Sequence, residues 1–478
     1  MRHVRPPRIG IVGMGHFIYW PQFPGLKERL LQKQKDFAGY FSPESSVLDL
    51  GFADDTDSAF SILKRALGED LDALFLVMST YVPSAVLFPF ARYLPVPQIL
   101  VGLQPLDQLD YGRCTTFMQL ENDDVCAMPE FAGVYGRLGA AAPFFLAEAA
   151  GRREEIARRV GEFERAIAAA AAFKYAKFGY LGHTYDGMYD MNTDPTAFSA
   201  AFGSHVKMLE MCELAEYVEG AADADVREKA EEIRRVFDVR TPSLDPITDF
   251  VTDEDLFWSA RCALGLERLV EENGLSSLAY YYKGENGNLY ERIAASLVVG
   301  NTLLTSRGIP LAGEADLKTA AAMLAMNKLS GGASFAELHP FDARENVILI
   351  GHDGPHDVRI SDAKPILRKL KKFHGKSGAG VSVEFKLKTG PVTLLSLGVG
   401  AGGRFRFVAA SGESVPGEIP QTGNTNTKCR FSLPPERFVE RWCAAGPTHH
   451  LALGVGNRLE EIGLFARMMK IDLALPLA

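Results

Sequence analysis

The sequence predicts an α/β protein: two doubly wound parallel-sheet domains followed by a C-terminal, mostly antiparallel β domain. Three observations carry that expectation. Short apolar runs alternate with helical patterns through the first two thirds of the chain, an Ala-, Glu- and Arg-rich helical stretch divides that region, and after about residue 330 the texture turns to alternating, β-branched, Gly-rich segments. A length of 478 residues also exceeds what one hydrophobic core usually supports, which places domains at 1–165, 166–330 and 331–478.

In the first domain, an apolar strand at 9–12 is followed by a helical pattern at 26–37, a strand at 46–51, a helical pattern at 58–67, and strands at 73–78 and 98–103. Strands that alternate with helices pack as a parallel sheet covered on both faces. The stretch 147–176, interrupted only by Gly151 and Gly161, reads as one long helix or two close ones bridging to the second domain. The alternation then repeats, with a strand at 178–181, a helical stretch at 198–211, a strand at 215–218, helices at 225–237 and 253–272, and a strand at 277–282. In the last third, 381–387, 392–397 and 405–409 read as antiparallel strands, before a closing helix at 458–469 and strand at 471–474.

The composition, 47% hydrophobic and 23% charged, is that of an ordinary globular protein. A formal net charge of -9 leaves no overall attraction for phosphate backbones or anionic lipid, so neither a nucleic acid nor a membrane is an expected partner. The basic run Lys364, Arg368, Lys369, Lys371, Lys372 and Lys376 has only Phe373 and His374 as ring-bearing neighbours, and reads as a solvated helix face or loop. Six cysteines, at 114, 126, 212, 262, 429 and 443, show neither a C-x-x-C pair nor zinc spacing. No signal-peptide pattern opens the chain, and no apolar run approaches the roughly 18 residues of a membrane helix. A soluble, cytoplasmic protein is expected.

Four segments place ionisable residues beside Gly and small residues at predicted element ends. In GEADLKTAA, Glu314 precedes a helical pattern that runs through Met326. In SFAELHPFD, Glu337 sits in or just after a strand. In ILIGHDGP, His352 closes an apolar strand, and GPTHH ends at His449 and His450 before another apolar stretch. Taken singly, each has an ordinary structural explanation, such as a Glu against a helix dipole or a His in a turn. Together, two carboxylates and two imidazoles form a mixed oxygen and nitrogen set suited to Mn²⁺, Co²⁺ or a similar divalent ion.

The order and wording of these segments resemble the L-arabinose isomerase family, within the L-fucose and L-arabinose isomerase fold group. There a Gly-Glu-Gly-Asp-Trp-Lys-Thr-Ala-Ala segment, a Ser-Phe-Met-Glu segment, a Gly-Ser-His segment and a Gly-x-His-His segment supply metal ligands. Residue by residue, the resemblance implies Glu314, Glu337, His352 and His450 as ligands, with Mn²⁺ foremost and Co²⁺ or Mg²⁺ as alternatives. GHTYDGMYDM at 182–191 looks like the family's Gly-Arg-x-Gly-Asp-x-Met segment, and GIVGMGHFIYW like its first strand and sugar-facing loop. His16, Tyr19, Met188 and His449 are thereby implied as sugar contacts, and a trimer-based homo-oligomer as the assembly. The wording departs where Leu317 stands for the family's Trp, where Leu338 follows Glu337, in DGPHDV after His352, and in QLENDDVC in the first domain. The resemblance therefore implies an aldose–ketose isomerase without fixing the sugar.

Moving a proton between C1 and C2 of a sugar needs a base, an acid and charge stabilisation, which the two glutamates and an ion supply. Glu314 and Glu337 are the expected catalytic pair, the division of labour between them left open. His183 and His339 are expected to be structural. Two rival readings compete with this one. One is an inactive sugar-binding relative; the other is a nicotinamide-dependent oxidoreductase suggested by Gly13-Met14-Gly15, although the spacing is G-x-x-G-x-G and Pro21 and Pro24 fall where the phosphate-binding helix would begin.

Overall fold

The computed structural model describes residues 5–373 and 378–477, so Lys376 and His374 of the basic run lie outside the described residues. The chain divides into two compact units, 5–171 and 172–477.

The first unit is a parallel five-stranded sheet. Its strands are β1 (Arg8–Met14), β2 (Ser46–Ala53), β3 (Ala73–Met78), β4 (Gln98–Gln104) and β5 (Phe144–Ala149), in the order β2-β1-β3-β4-β5. The central β3 is buried along its whole length, as a strand with helices on both faces must be. Strand β5 was not expected, because its Ala-rich sequence reads as helix. Phe144 and Leu146 nevertheless point inward while Phe145 faces out, the alternation of an edge strand, and the helix begins only after Gly151, at Arg153–Phe173. The order changes direction between β1 and β3, so the carboxyl-end crevice where doubly wound sheets bind ligands lies beside Gly15-His16 and Ser79-Thr80.

The second unit opens with β6 (Lys177–Gly182) and β7 (His205–Leu209); β8 (Asp238–Val239) and β9 (Thr248–Asp249) leave for a separate small sheet, and β10 (Ser277–Tyr281) and β11 (Leu311–Ala312) return to the first. The parallel order is β11-β10-β6-β7. Two expectations fail here. The stretch 198–211 is helix only over Pro195–Phe202, where Asp194 caps the start and Gly203, at φ 68°, ends it; β7 follows. The expected strand at 215–218 lies inside the helix Met211–Glu219. Met211, Leu214, Ala215 and Val218 are its buried stripe at helical spacing, and Glu210 and Glu213 form its capping box.

Beyond residue 330 come β12 (Ser334–Asp342), β13 (Val347–His352), β14 (Ile366–Leu370), β15 (Gly380–Glu384), β16 (Gly390–Val399), β17 (Phe405–Ser414), β18 (Thr425–Arg430), β19 (His450–Val455) and β20 (Asp472–Ala474). The order β16-β19-β12-β13-β18-β17-β20 carries a further pairing of β16 with β17, which closes six antiparallel strands into a ring, with β20 added in parallel outside it. Strand β14 joins β15, β8 and β9 in the small sheet. The basic run is therefore partly strand, and Arg368 is buried in a two-pronged pair with Glu384 at 2.7 and 2.9 Å instead of facing water.

The helix Leu317–Ser330 connects the parallel sheet to the barrel and packs against strands of both, β10 and β11 of the sheet and β12, β16 and β19 of the barrel. All of its residues but Lys328 and Ser330 are buried, and it lacks a polar face, as a helix enclosed on all sides should. Its four alanines, 320, 321, 322 and 325, let the neighbouring strands approach closely. Just before its first turn stands the site.

Candidate metal centre

Strand β12 lies between β19 and β13, and its Glu337 pairs across with His450 on one side and Gly351 on the other. Three of the sequence-implied residues thus come from three adjacent strands at one end of the barrel. Gly351 is required there: a Cβ on it would stand 1.7 Å from the Thr425 carbonyl oxygen. Glu314 arrives from the parallel sheet, in the turn after β11, where open α/β sheets place ligands. Glu314 and Ala315 are both left-handed, at φ 56° and 55°, a conformation held at functional sites only where the surroundings enforce it. The Tyr185 N–H donates to the Glu314 carbonyl at 3.2 Å and contributes to that restraint.

The atoms converge in two overlapping groups. Glu337, His352 and His450 each offer a ligand atom within 4.8 Å of the others, as do Glu314, His449 and His450. His450 is common to both and has no solvent exposure. The Phe335 ring lies 4.4 Å from the His450 ring and 4.6 Å from His352, forming an apolar wall behind both imidazoles.

Asp316 orients His450. Fully buried, it caps the helix by accepting from the Lys318 and Thr319 amides at 3.1 Å each and from the Thr319 hydroxyl at 2.7 Å, and its Oδ2 also accepts from His450 Nδ1 at 3.1 Å. Burial opposes ionisation of Asp316, but the adjacent Lys318 ammonium and the His450 and Thr319 hydrogen bonds prevail and hold it well below the usual carboxylate range. With Nδ1 carrying its proton toward Asp316, His450 Nε2 is left as an acceptor. It stands 3.6 Å from Glu314 Oε2, and both atoms are buried without a hydrogen-bond partner.

Two buried acceptors facing each other repel unless something positive lies between them, and a buried polar atom left unsatisfied costs about 1–3 kcal/mol. A divalent cation fits this arrangement of carboxylate and imidazole donors. Glu337 is prepared in the same sense. Burial would raise it, yet the His339 hydrogen bond and the His352 and His450 imidazoles hold it down at about 2, so it is anionic. His339, expected to be structural, touches the site directly: Nε2 donates to Glu337 Oε1 at 3.2 Å and Nδ1 meets Asn426 Oδ1 at 2.6 Å. His183 makes only a local contact, Nδ1 to the Thr184 carbonyl at 2.9 Å.

Of the implied sugar contacts, His449 lies beside His450, with ring centres 3.9 Å apart, and its backbone N–H and Nδ1 donate to Asp190 Oδ2 at 2.9 and 2.7 Å. Met188 is half-buried at the start of the short Tyr189–Met191 turn that carries Asp190. A cavity reaching Glu314 and His352 is walled by Tyr280, Tyr281, Tyr282 and Glu291. His16 and Tyr19 belong to the first unit, where their rings meet edge to face at 5.1 Å and Tyr81 stands 6.3 Å from His16. Asp190, Asp316 and Asp353 escaped the sequence reading. Asp316 alone left a trace, as an Asp three residues before Thr319 at a helix start.

The sequence profile of the L-arabinose isomerase C-terminal domain matches residues 332–472, the barrel region. The L-arabinose isomerase of Arthrobacter sp. (strain FB24) is 27% identical over 332 residues, 67% of this chain and 62% of that protein. The enzyme of Klebsiella pneumoniae subsp. pneumoniae is 25% identical over 329 residues, 67% and 64% of the two chains, and that of Nocardioides sp. 27% identical over 354 residues, 72% and 68%. The chain thus spans somewhat under two thirds of the length of the first of these relatives. The barrel region is similar to an L-arabinose isomerase C-terminal domain, and about two thirds of the chain is similar to L-arabinose isomerases.

Proposed function

We propose that the chain is a metal-dependent aldose–ketose isomerase, acting on a pentose, hexose or deoxy sugar by an enediol-type proton transfer. Glu314, Glu337, His352 and His450 would hold the ion, Mn²⁺ foremost with Co²⁺ or Mg²⁺ as alternatives. The observation that carries this reading is the pair of buried, unpartnered acceptors, Glu314 Oε2 and His450 Nε2, 3.6 Å apart. The relatives' name supports the reaction class. When bound, the ion supplies Lewis-acid stabilisation for the carbonyl and adjacent hydroxyl oxygens of the open-chain sugar.

The chain's own residues do the rest. Glu314 and Glu337 divide the transfer, one taking the proton from carbon while the other serves the oxygen. His339 keeps Glu337 oriented through its 3.2 Å hydrogen bond, and Phe335 keeps water from the back of both imidazoles. His449, held by Asp190, and Met188 are proposed sugar contacts, as are His16 and Tyr19. Departures at Leu317, Leu338 and 353–358 remodel the surroundings of the ligands, which favours a sugar other than L-arabinose. We place the protein in a reducing cytoplasm, since all six cysteines are free thiols, and as a trimer-based homo-oligomer by resemblance to the family.

Mn²⁺-loaded protein incubated with aldopentoses, aldohexoses and 6-deoxy sugars should form ketose from at least one. Glu337→Gln should lower that rate by at least about 10²-fold, the scale of lost acid–base catalysis. Ketose formation at a near-native rate in the variant, or none from any sugar with the unaltered chain, contradicts the proposal.

A further inference from the structure

His450 has Asp316 behind it; His352 has a carboxylate of its own. The Nε2 of His352 faces Glu337 Oε1 at 4.0 Å, whereas its Nδ1 lies 3.0 Å from Asp353 Oδ1, with both side chains less than a tenth exposed. An imidazole that ligates through Nε2 must carry its proton on Nδ1, and that proton needs an acceptor. His352 Nδ1 is buried and makes no hydrogen bond of good geometry, and the Asp353 oxygen at 3.0 Å is the acidic group facing it.

The surroundings fix everything else about His352. The Thr425 hydroxyl accepts from the His352 amide at 3.2 Å and donates to its carbonyl at 3.0 Å, clamping the backbone on both sides. The chain turns back so closely at Gly354 that a Cβ there would stand 3.3 Å from the same Nδ1 and 3.1 Å from Phe335. Protein, not solvent, therefore surrounds that nitrogen. Asp353 opens the DGPHDV segment that follows His352 directly in the chain.

We propose that Asp353 is a positioning residue of the metal centre, whose carboxylate receives the His352 Nδ1–H and fixes the tautomer that presents Nε2 toward Glu337. The proposal rests on the metal-dependent reading above and assigns a residue beyond its four ligands. Outer partners of this kind typically change metal affinity 10–100-fold when removed.

The test is Mn²⁺ titration calorimetry on chelator-stripped protein, with the tautomer of His352 read by ¹⁵N imidazole spectra and assigned by signal loss in His352→Gln. The unaltered chain should hold His352 as the Nδ1–H tautomer. Asp353→Ala should weaken Mn²⁺ binding roughly 10–100-fold and release that tautomer, while Asp353→Asn, which keeps an acceptor oxygen, should recover most of the affinity. Folded Asp353→Ala with unaltered Mn²⁺ affinity overturns the proposal, and so does an Nε2–H tautomer in the unaltered chain, a result that stands even if Asp353→Ala fails to fold. An unaltered chain that takes up no divalent ion overturns this inference together with the reading it rests on; unchanged affinity among the variants overturns this inference alone.

Discussion

Asp316 carries three tasks at once: it caps a helix, fixes the proton of His450, and stands 3.6 Å from the buried ammonium of Lys318. Lys318 is fully buried, and its other contact is the Met191 carbonyl at 2.6 Å, which ties the Tyr189–Met191 turn, and with it Asp190, to the same point. Asp316→Ala removes the partner of a buried charge, a loss of about 3–5 kcal/mol. Urea unfolding should register it as a lower midpoint with unchanged slope. A stability within about 0.5 kcal/mol of the unaltered protein, the scale of an ordinary surface change, would show that Lys318 is satisfied some other way. Glu314 and Glu337 could be singled out from sequence because each is an acid beside small residues at a predicted element end. Asp316, Asp353 and His339 could not. Their importance lies in which imidazole or carboxylate they stand behind, and that depends on strands far apart in the chain.

At the scale of elements, β12 is the strand on which the site is assembled, since it lies between β13 and β19. Gly351→Ala, opposite Glu337, drives a methyl group into the Thr425 carbonyl at 1.7 Å and must push β18 away from β13. Overpacking typically costs about 1–3 kcal/mol, and backbone here cannot rotate aside, so a loss at the top of that range or above is expected. A thermal melt checks it, and an unshifted midpoint contradicts the rigid strand pairing described.

In the first unit the comparable element is the helix Leu26–Ala38. Its Lys33 donates to the Ser79 carbonyl at 2.9 Å, the Glu121 carbonyl at 3.1 Å and the buried Asp124 carboxylate. Burial outweighs the Lys33 charge and pushes Asp124 up to about 7. A carboxyl raised in the folded state favours folding at acid pH and loses that contribution as pH climbs from its unfolded value of 3.8 towards 7. Asp124→Asn should therefore flatten the decline of stability over that window, read as urea midpoints against pH; an unchanged slope would show that Asp124 titrates normally. Elements with clean periodicity, such as β3 and the helix Asp253–Asn273, were legible in the sequence. Those at 144–149 and 205–218 were not, because alanine-rich or amphipathic segments satisfy both periods and only a Gly203 or Glu210 cap decides between them.

For the whole molecule, the α/β class and the switch to antiparallel strands after residue 330 follow from local texture, whereas closure of the ring through β16 and β17 does not, since no local pattern states which strands meet at long range. The second unit packs one buried helix against both a parallel sheet and a barrel, and Glu314 from the first comes close to His450 of the candidate site that Glu337, His352 and His450 form in the second. Occupation of that site should couple to folding. Mn²⁺ at 100 times its dissociation constant should add about 2.7 kcal/mol to the stability of the stripped protein, and chelation should remove it. No shift in the melting midpoint on adding Mn²⁺ contradicts that coupling.

Whether four residues distant in sequence hold one divalent cation is decided by anomalous scattering at the manganese edge from crystals grown with Mn²⁺. A single strong peak within coordination distance of Glu314, Glu337, His352 and His450 is expected. A protein with those side chains ordered and no peak among them would contradict it.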